Sequence, residues 1–400
     1  MYFSILSPKR QEDFLSIWIC RSYPAPGWGY HTKGGTGVKE NTFSKRDSLA
    51  VKGAAILLML CLHCFRIPEL YAGFPVNFAP FPEDLVNRIC TYGKVCVGIF
   101  AFISGYGLAK AYRDVPDRDL SGACLSRYYK SIRAFWPIYL LCLLAGVVID
   151  GRTMQLYCSG GLGRNALNLL LGGLGLNHLF RTPMFVNEWW YLSAMVVFIF
   201  ITPLLQRAVS RYGWALPAFL LVALPRTLPI GFQGGTEIFT FLSPLLLGVI
   251  FAQYGLFERY WNLGPKQPAA NRLRKLLLTG VAAFLGYKAY FLLPADPYWE
   301  VYYGLIPLSF LLFFHTLVKD VPVLEDLFVF LGRHSGNIYF IHTVFLYVYL
   351  KEPLYSMPWF GLTPLALLGL CLVCSVLLEG LKSIVRHLKP TQAGGNHHVE

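Results

Sequence analysis

The chain has 400 residues, 55% of them hydrophobic and only 14% charged, with a formal net charge of +13. That is more apolar surface than one soluble core hides, and the apolar residues gather into runs of roughly 18 to 22, the length a helix needs to cross a hydrocarbon core. The Lys and Arg lie between those runs in no single basic domain, which argues against nucleic acid, and the ten cysteines are too scattered for a disulfide framework or a zinc site.

Residues 1–46 are polar, basic and rich in turn formers, and read as a poorly ordered cytoplasmic tail. They lack the pattern of a cleaved signal peptide. Beyond them the sequence predicts an all-α membrane protein with about ten transmembrane helices. The spans fall near 48–67, 94–111, 134–150, 188–206, 213–231, 236–254, 275–294, 300–318, 327–350 and 361–381. Together they make a membrane domain over 47–386, followed by a short tail, 387–400. With the N-terminus and the C-terminus both cytoplasmic, most of the 35 Lys and Arg fall on the cytoplasmic side, as the positive-inside rule asks. The fifth span contains Pro217 and Pro225, which a membrane helix tolerates when neighbours satisfy the freed carbonyls. The connection 151–187 is long, and its Leu-rich piece from Asn165 to Leu176 is broken by Gly172, Gly173 and Gly175. A re-entrant or interfacial segment beside a site is expected there.

The first span carries the most informative pair. Lys52 and His63 stand eleven positions apart, and at about 100° per residue they share one helix face with about 16 Å of rise between them. A titratable residue at that depth is costly and marks a functional site by default; the bland alternative is a snorkelling lysine and a structural histidine. In the second span Ala101, Gly105 and Ala109 recur every fourth position as a packing seam, with Ser104 beside them. Ser104 has the side chain of a nucleophile, yet a serine at such a seam more often packs or bonds a carbonyl.

Arg127, Lys130 and Arg133 recur at every third position before the third span. Such a cluster suits a polyanionic phosphate ligand or, equally, an orientation signal beside anionic headgroups. Glu188, Trp189, Trp190 and Tyr191 open the fourth span, where the aromatics alone would be an interfacial belt and Glu188 is a candidate to orient a histidine or activate an acceptor. In the segment LGRHSGNIYFIH, His334 and Ser335 mark an expected helix start, and His342 reads as a structural histidine or a site residue.

Taken in order, these segments resemble the membrane-bound acyltransferase 3 family over roughly residues 46–385. The likeness rests on Lys52 with His63, and on Phe100, Phe102, Ser104, Gly105 and Tyr106 of the second span. It rests equally on Lys130, Arg133, Trp136, Pro137 and Tyr139, and on the NEWWYL and LGRHSGNIYFIH segments. The family commonly has arginine at both ends of its basic pair; here Lys130 takes the first place, with Arg127 nearby. The resemblance implies a multi-pass enzyme of the plasma or inner cell membrane. It would move an acyl group, most often acetyl, from cytoplasmic acyl-CoA to a hydroxyl of a glycan or lipid-linked acceptor on the other side, without a metal. In that reading His63 is the general base, with Glu188 as its partner in catalysis. Lys52, Arg127, Lys130 and Arg133 hold the donor phosphates, and Ser104, Tyr106, Trp189, Trp190 and His342 bind substrate or pack. A transporter built on ten spans, or a ligand-sensing membrane domain, are the competing classes; the former is weakened by the lack of two related halves in the sequence.

Overall fold

The computed structural model describes residues 43–220, 238, 241–262, 267–292, 307–312, 314, 316, 318 and 321–388. Nearly all of both expected tails lies outside these residues, as does much of the expected fifth and eighth spans. The principal helices are α1 (Lys45–Phe65), α2 (Glu83–Tyr92), α3 (Val95–Tyr112), α4 (Leu120–Val148) and α5 (Leu162–Gly173). They continue with α6 (Trp190–Tyr212), α7 (Leu242–Tyr254), α8 (Pro268–Leu292), α9 (Pro322–Thr343) and α10 (Leu362–Leu388). No sheet occurs among the described residues; one isolated bridge joins Asn77 to Trp359. Five segments, containing α1, α3, α4, α6 and α10, are long and apolar enough to cross a membrane. α7 is apolar but shorter.

Two helix starts differ from expectation for reasons local to the chain. α1 begins at Lys45 because Ser44 and Asp47 form a capping box: the Asp47 N–H donates to Ser44 Oγ at 3.2 Å, and Asp47 accepts the Ser44 N–H at 2.7 Å. Hydropathy alone misses this polar turn. α9 begins at Pro322, well before His334, because proline suits the first helical position where no N–H is needed.

The centre of the domain is made by α1 and α3, most of whose residues are buried. α4 and α10 instead turn exposed aliphatics such as Leu140, Leu144, Leu377 and Leu381 outward, a surface suited to lipid tails. α1 and α9 run parallel. Arg46 near the start of α1 pairs with Glu325 at 2.8 Å and with Asp326 near the start of α9, and farther along His63 reaches His342. Midway a methyl on Gly53 would collide with the carbonyl of Phe328, and one on Gly332 with that of Leu49. Each glycine sits four positions after the residue its counterpart touches, so the two backbones meet reciprocally. The seam foreseen around Gly105 packs in the same way: Gly105 lies against the Leu245 carbonyl of α7, and Gly248 against that of Phe102.

The interrupted piece Asn165 to Leu176 folds as the end of α5 and a tight stop. Gly175, at φ +68°, lets Leu176 N–H return to Leu171 O at 2.9 Å and Gly175 N–H to Gly172 O at 3.0 Å. Side chains of α4 then satisfy the remaining carbonyls. Tyr139 donates to Leu169 O at 2.9 Å, Trp136 to Gly173 O at 2.8 Å and Tyr128 to Leu174 O at 2.9 Å, while Ser193 donates to Gly175 O at 2.6 Å. These side chains satisfy carbonyls that the end of a helix otherwise leaves without an intrahelical partner. The Trp136-Pro137-x-Tyr139 sequence is therefore a dock for this segment.

Candidate functional site

The parallel alignment of α1 and α9 brings two histidines together, with ring centroids 4.9 Å apart. After Thr343 the helix widens into a π-helical turn, Val344–Tyr349, with Leu350 N–H bonded to Phe345 O at 2.7 Å. That turn carries Tyr347 to the end of α1, where its hydroxyl lies 3.0 Å from the His63 carbonyl and 3.1 Å from His63 Nδ1. A tyrosine has one proton to give. Both contacts are satisfied when it goes to the carbonyl and Nδ1–H donates to the phenolic oxygen, which leaves the lone pair of His63 on Nε2. A general base needs that tautomer. The orienting group is thus a tyrosine, and among the described residues no carboxylate hydrogen-bonds the ring.

His63 and Glu188 form the shared wall of two cavities. The first, of about 270 Å³, extends along α1 to Lys52 and is also lined by Ser104, Ser131, Trp190, Ser335 and Tyr339. The second, of about 380 Å³, lies past the end of α1 and is lined by Arg66, Arg152, Asn187 and Tyr347 among others. Glu188 is held in place through its backbone neighbours. The Tyr339 hydroxyl donates to the Glu188 carbonyl, and Trp189 Nε1 donates to Phe340 O at 3.0 Å, so the start of α6 is pinned to α9. A larger groove of about 500 Å³ between α4, the π-helical turn and α10 is lined almost wholly by apolar surface and brings together no group of charged side chains.

Of the residues expected from sequence, Lys52, His63, Ser104, Glu188 and Trp190 come together around the first cavity. The Ser104 hydroxyl donates to Met195 Sδ at 3.4 Å, a weak acceptor and no base, so it lacks the activation a nucleophile requires. His342 is fully buried next to His63; its Nδ1 bonds the Tyr339 carbonyl at 2.7 Å, while Nε2 has no hydrogen-bond partner among the described residues. Tyr106 and Trp189 are buried in packing, Tyr106 edge-on to Phe43 and Phe257, Trp189 edge-on to Phe135. Arg127, Lys130 and Arg133 are exposed and outside the lining of either cavity. On α4 the cavity stripe runs through Ser131 and Ala134. Arg127 lies on that stripe one turn earlier, Lys130 is about 70° off it, and Arg133 is about 130° off.

Tyr347, Ser131, Tyr339, Arg66 and Arg152 are site residues that sequence reasoning passed over. For Tyr347 the only local hint is its place five residues after His342 in an aromatic run, a weak signal because a π-helical turn and a contact 284 residues away decide its role. A family model for an acyltransferase domain, that of the acyltransferase 3 family, matches residues 50–379, which takes in every residue of the two cavity walls. No curated protein and no solved structure matches the chain.

Proposed function

The chain belongs to the acyltransferase 3 family, and from that premise we propose that it moves an acyl group, most simply acetyl, from cytoplasmic acyl-CoA to a hydroxyl of a glycan or lipid-linked acceptor across the membrane. The observation that carries this reading is His63 placed between two cavities, with Nδ1 taken up by Tyr347 and no hydrogen bond to Nε2 among the described residues. The cavity reaching Lys52 receives the donor. Its 270 Å³ lies below the usual range for a whole small-molecule site, so it takes the acyl end and the thiol arm. The nucleotide phosphates stay at the mouth with Lys52 and Arg127, and with Lys130 and Arg133 farther round the rim. The acceptor enters from the second cavity.

In the transfer step His63 Nε2 takes the proton of the acceptor hydroxyl while its oxygen bonds the acyl carbon. The thioester C–S bond breaks, and the departing thiolate recovers that proton from the imidazolium. Glu188, on the same wall, offsets the positive charge that the ring acquires. Ser104 and Trp190 line the path of the thiol arm, and His342 backs the ring. Direct transfer requires no acyl-enzyme, in keeping with the environment of Ser104.

The test is release of radiolabelled acetyl from acetyl-CoA onto glycan by purified protein and by His63→Ala. General-base catalysis typically contributes about 10²- to 10⁴-fold, so the variant should lose most transfer while remaining folded. Full transfer by a folded His63→Ala protein would refute the assignment.

A further inference from the structure

The second cavity holds more positive charge than the transfer step uses. Arg66 ends α1 and is exposed on this wall. Its backbone is engaged, with N–H to Leu62 O and its carbonyl accepting from Asn87, but its guanidinium has no hydrogen-bond or ion-pair partner among the described residues, Glu188 included. Arg152 is half-buried in the same lining and is held by Phe185. Nη2 and Nε donate to the Phe185 carbonyl at 3.1 and 3.3 Å, and the group lies over the Phe185 ring at 5.4 Å. Of the five N–H groups of that guanidinium, three have no acceptor among the described residues. The acids nearby are Glu188 on the wall and Asp150, which caps the Arg152 backbone N–H at 3.0 Å.

We infer that the acceptor is acidic, carrying a carboxylate or a phosphate close to the hydroxyl that is acylated. The inference rests on reading the second cavity as the acceptor side. A guanidinium is the side chain whose planar fork matches either oxyanion, and here one rigid fork and one unpaired fork border the same space. A neutral sugar calls for neither. An arginine serving only lipid headgroups at a helix end would account for Arg66 alone, and not for Arg152 fixed on the same wall. The acid group of the acceptor closes on Arg66, Arg152 keeps it in register, and the neighbouring hydroxyl is left facing His63.

The experiment uses the full chain in phosphatidylcholine nanodiscs with radiolabelled acetyl-CoA. The probes are methyl glucuronoside, galactose phosphate and neutral methyl glucoside. Two readouts are taken: acetyl ester formed, and thermal stabilisation by each sugar without donor. The acidic probes should bind and accept about tenfold to hundredfold better than the neutral one, the range for losing a charged hydrogen bond. The stronger of the two identifies the oxyanion. Arg66→Gln should erase the preference and Arg66→Lys restore part of it, with Arg152→Gln weakening the acidic probes as well. Equal handling of neutral and acidic sugars by the wild type, or a preference that survives Arg66→Gln, overturns the inference. So does Arg66-dependent stabilisation by phosphatidylglycerol without any sugar preference, which assigns the site to headgroups. Selective stabilisation by the acidic probes with no transfer to any sugar supports the acidic site and counts against the transferase reading.

Discussion

Replacing Tyr347 with phenylalanine removes a single oxygen, and the structure states what should be lost. The hydroxyl gives one hydrogen bond to the His63 carbonyl and receives one from Nδ1–H. Each is worth about 1 kcal/mol net, and an imidazole N–H left bare in a buried site costs about 1–3 kcal/mol more. The ring relieves that cost by turning or by moving its proton to Nε2, and either change withdraws the lone pair from the acceptor. If a deficit of about 1.4 to 2.8 kcal/mol falls on the active orientation, kcat drops about tenfold to hundredfold, because 1.4 kcal/mol is a factor of ten. The acyl-CoA KM should stay near wild type, since Tyr347 lines the other cavity. The assay is steady-state acetyl transfer by matched, folded proteins, extended to a cycle with His63→Ala. Residues that act as a unit are not additive, so the double variant should be no worse than His63→Ala alone. A Tyr347→Phe enzyme with wild-type kcat, or a double variant that loses the product of the two single losses, would refute the claim that this tyrosine works through the imidazole.

The donor end makes a graded prediction: Lys52→Ala and Arg127→Ala should each raise the acyl-CoA KM about tenfold with a smaller change in kcat, and Arg133→Ala should do less because it lies off the cavity stripe. Donor titrations check it, and an Arg133 effect larger than that of Arg127 would reverse the proposed order. Gly332→Ala should lower the thermal midpoint of the detergent-solubilised protein, since the methyl meets the Leu49 carbonyl and overpacking of this kind costs about 1–3 kcal/mol. An unchanged midpoint would mean that α1 and α9 are not as close as described.

Much of the architecture was legible in the order of residues because lipid imposes a local rule. A helix must be apolar for about 20 positions, so α1, α3, α4, α6 and α10 announce themselves by hydropathy. The capping box at Ser44 emerged only from the structure, but the small-residue seam at Gly105 is a similarly short pattern with a direct physical meaning. So is the shared face of Lys52 and His63, which the helix pitch alone determines, and both residues line the first cavity. The partner of each seam was not legible. Nothing near Gly105 names Leu245, and nothing near Gly53 names Phe328.

The chemistry divides along the same line. Sequence by itself determined that the chain is a helical membrane protein of an acyltransferase family, and singled out His63 in its first span, because span length, charge distribution and motif order are properties of consecutive residues. Only the tertiary structure decided which side chains surround that histidine. Adjacent Trp189 and Trp190 take opposite roles, one packed against Phe135 and the other on the cavity wall, because about 100° of helix rotation separates them and the bundle chooses the face. Tyr347 reaches His63, and Arg66 comes to share a wall with Arg152, through contacts between helices far apart in the chain, and such contacts are settled by packing in three dimensions and leave no periodic trace in either helix.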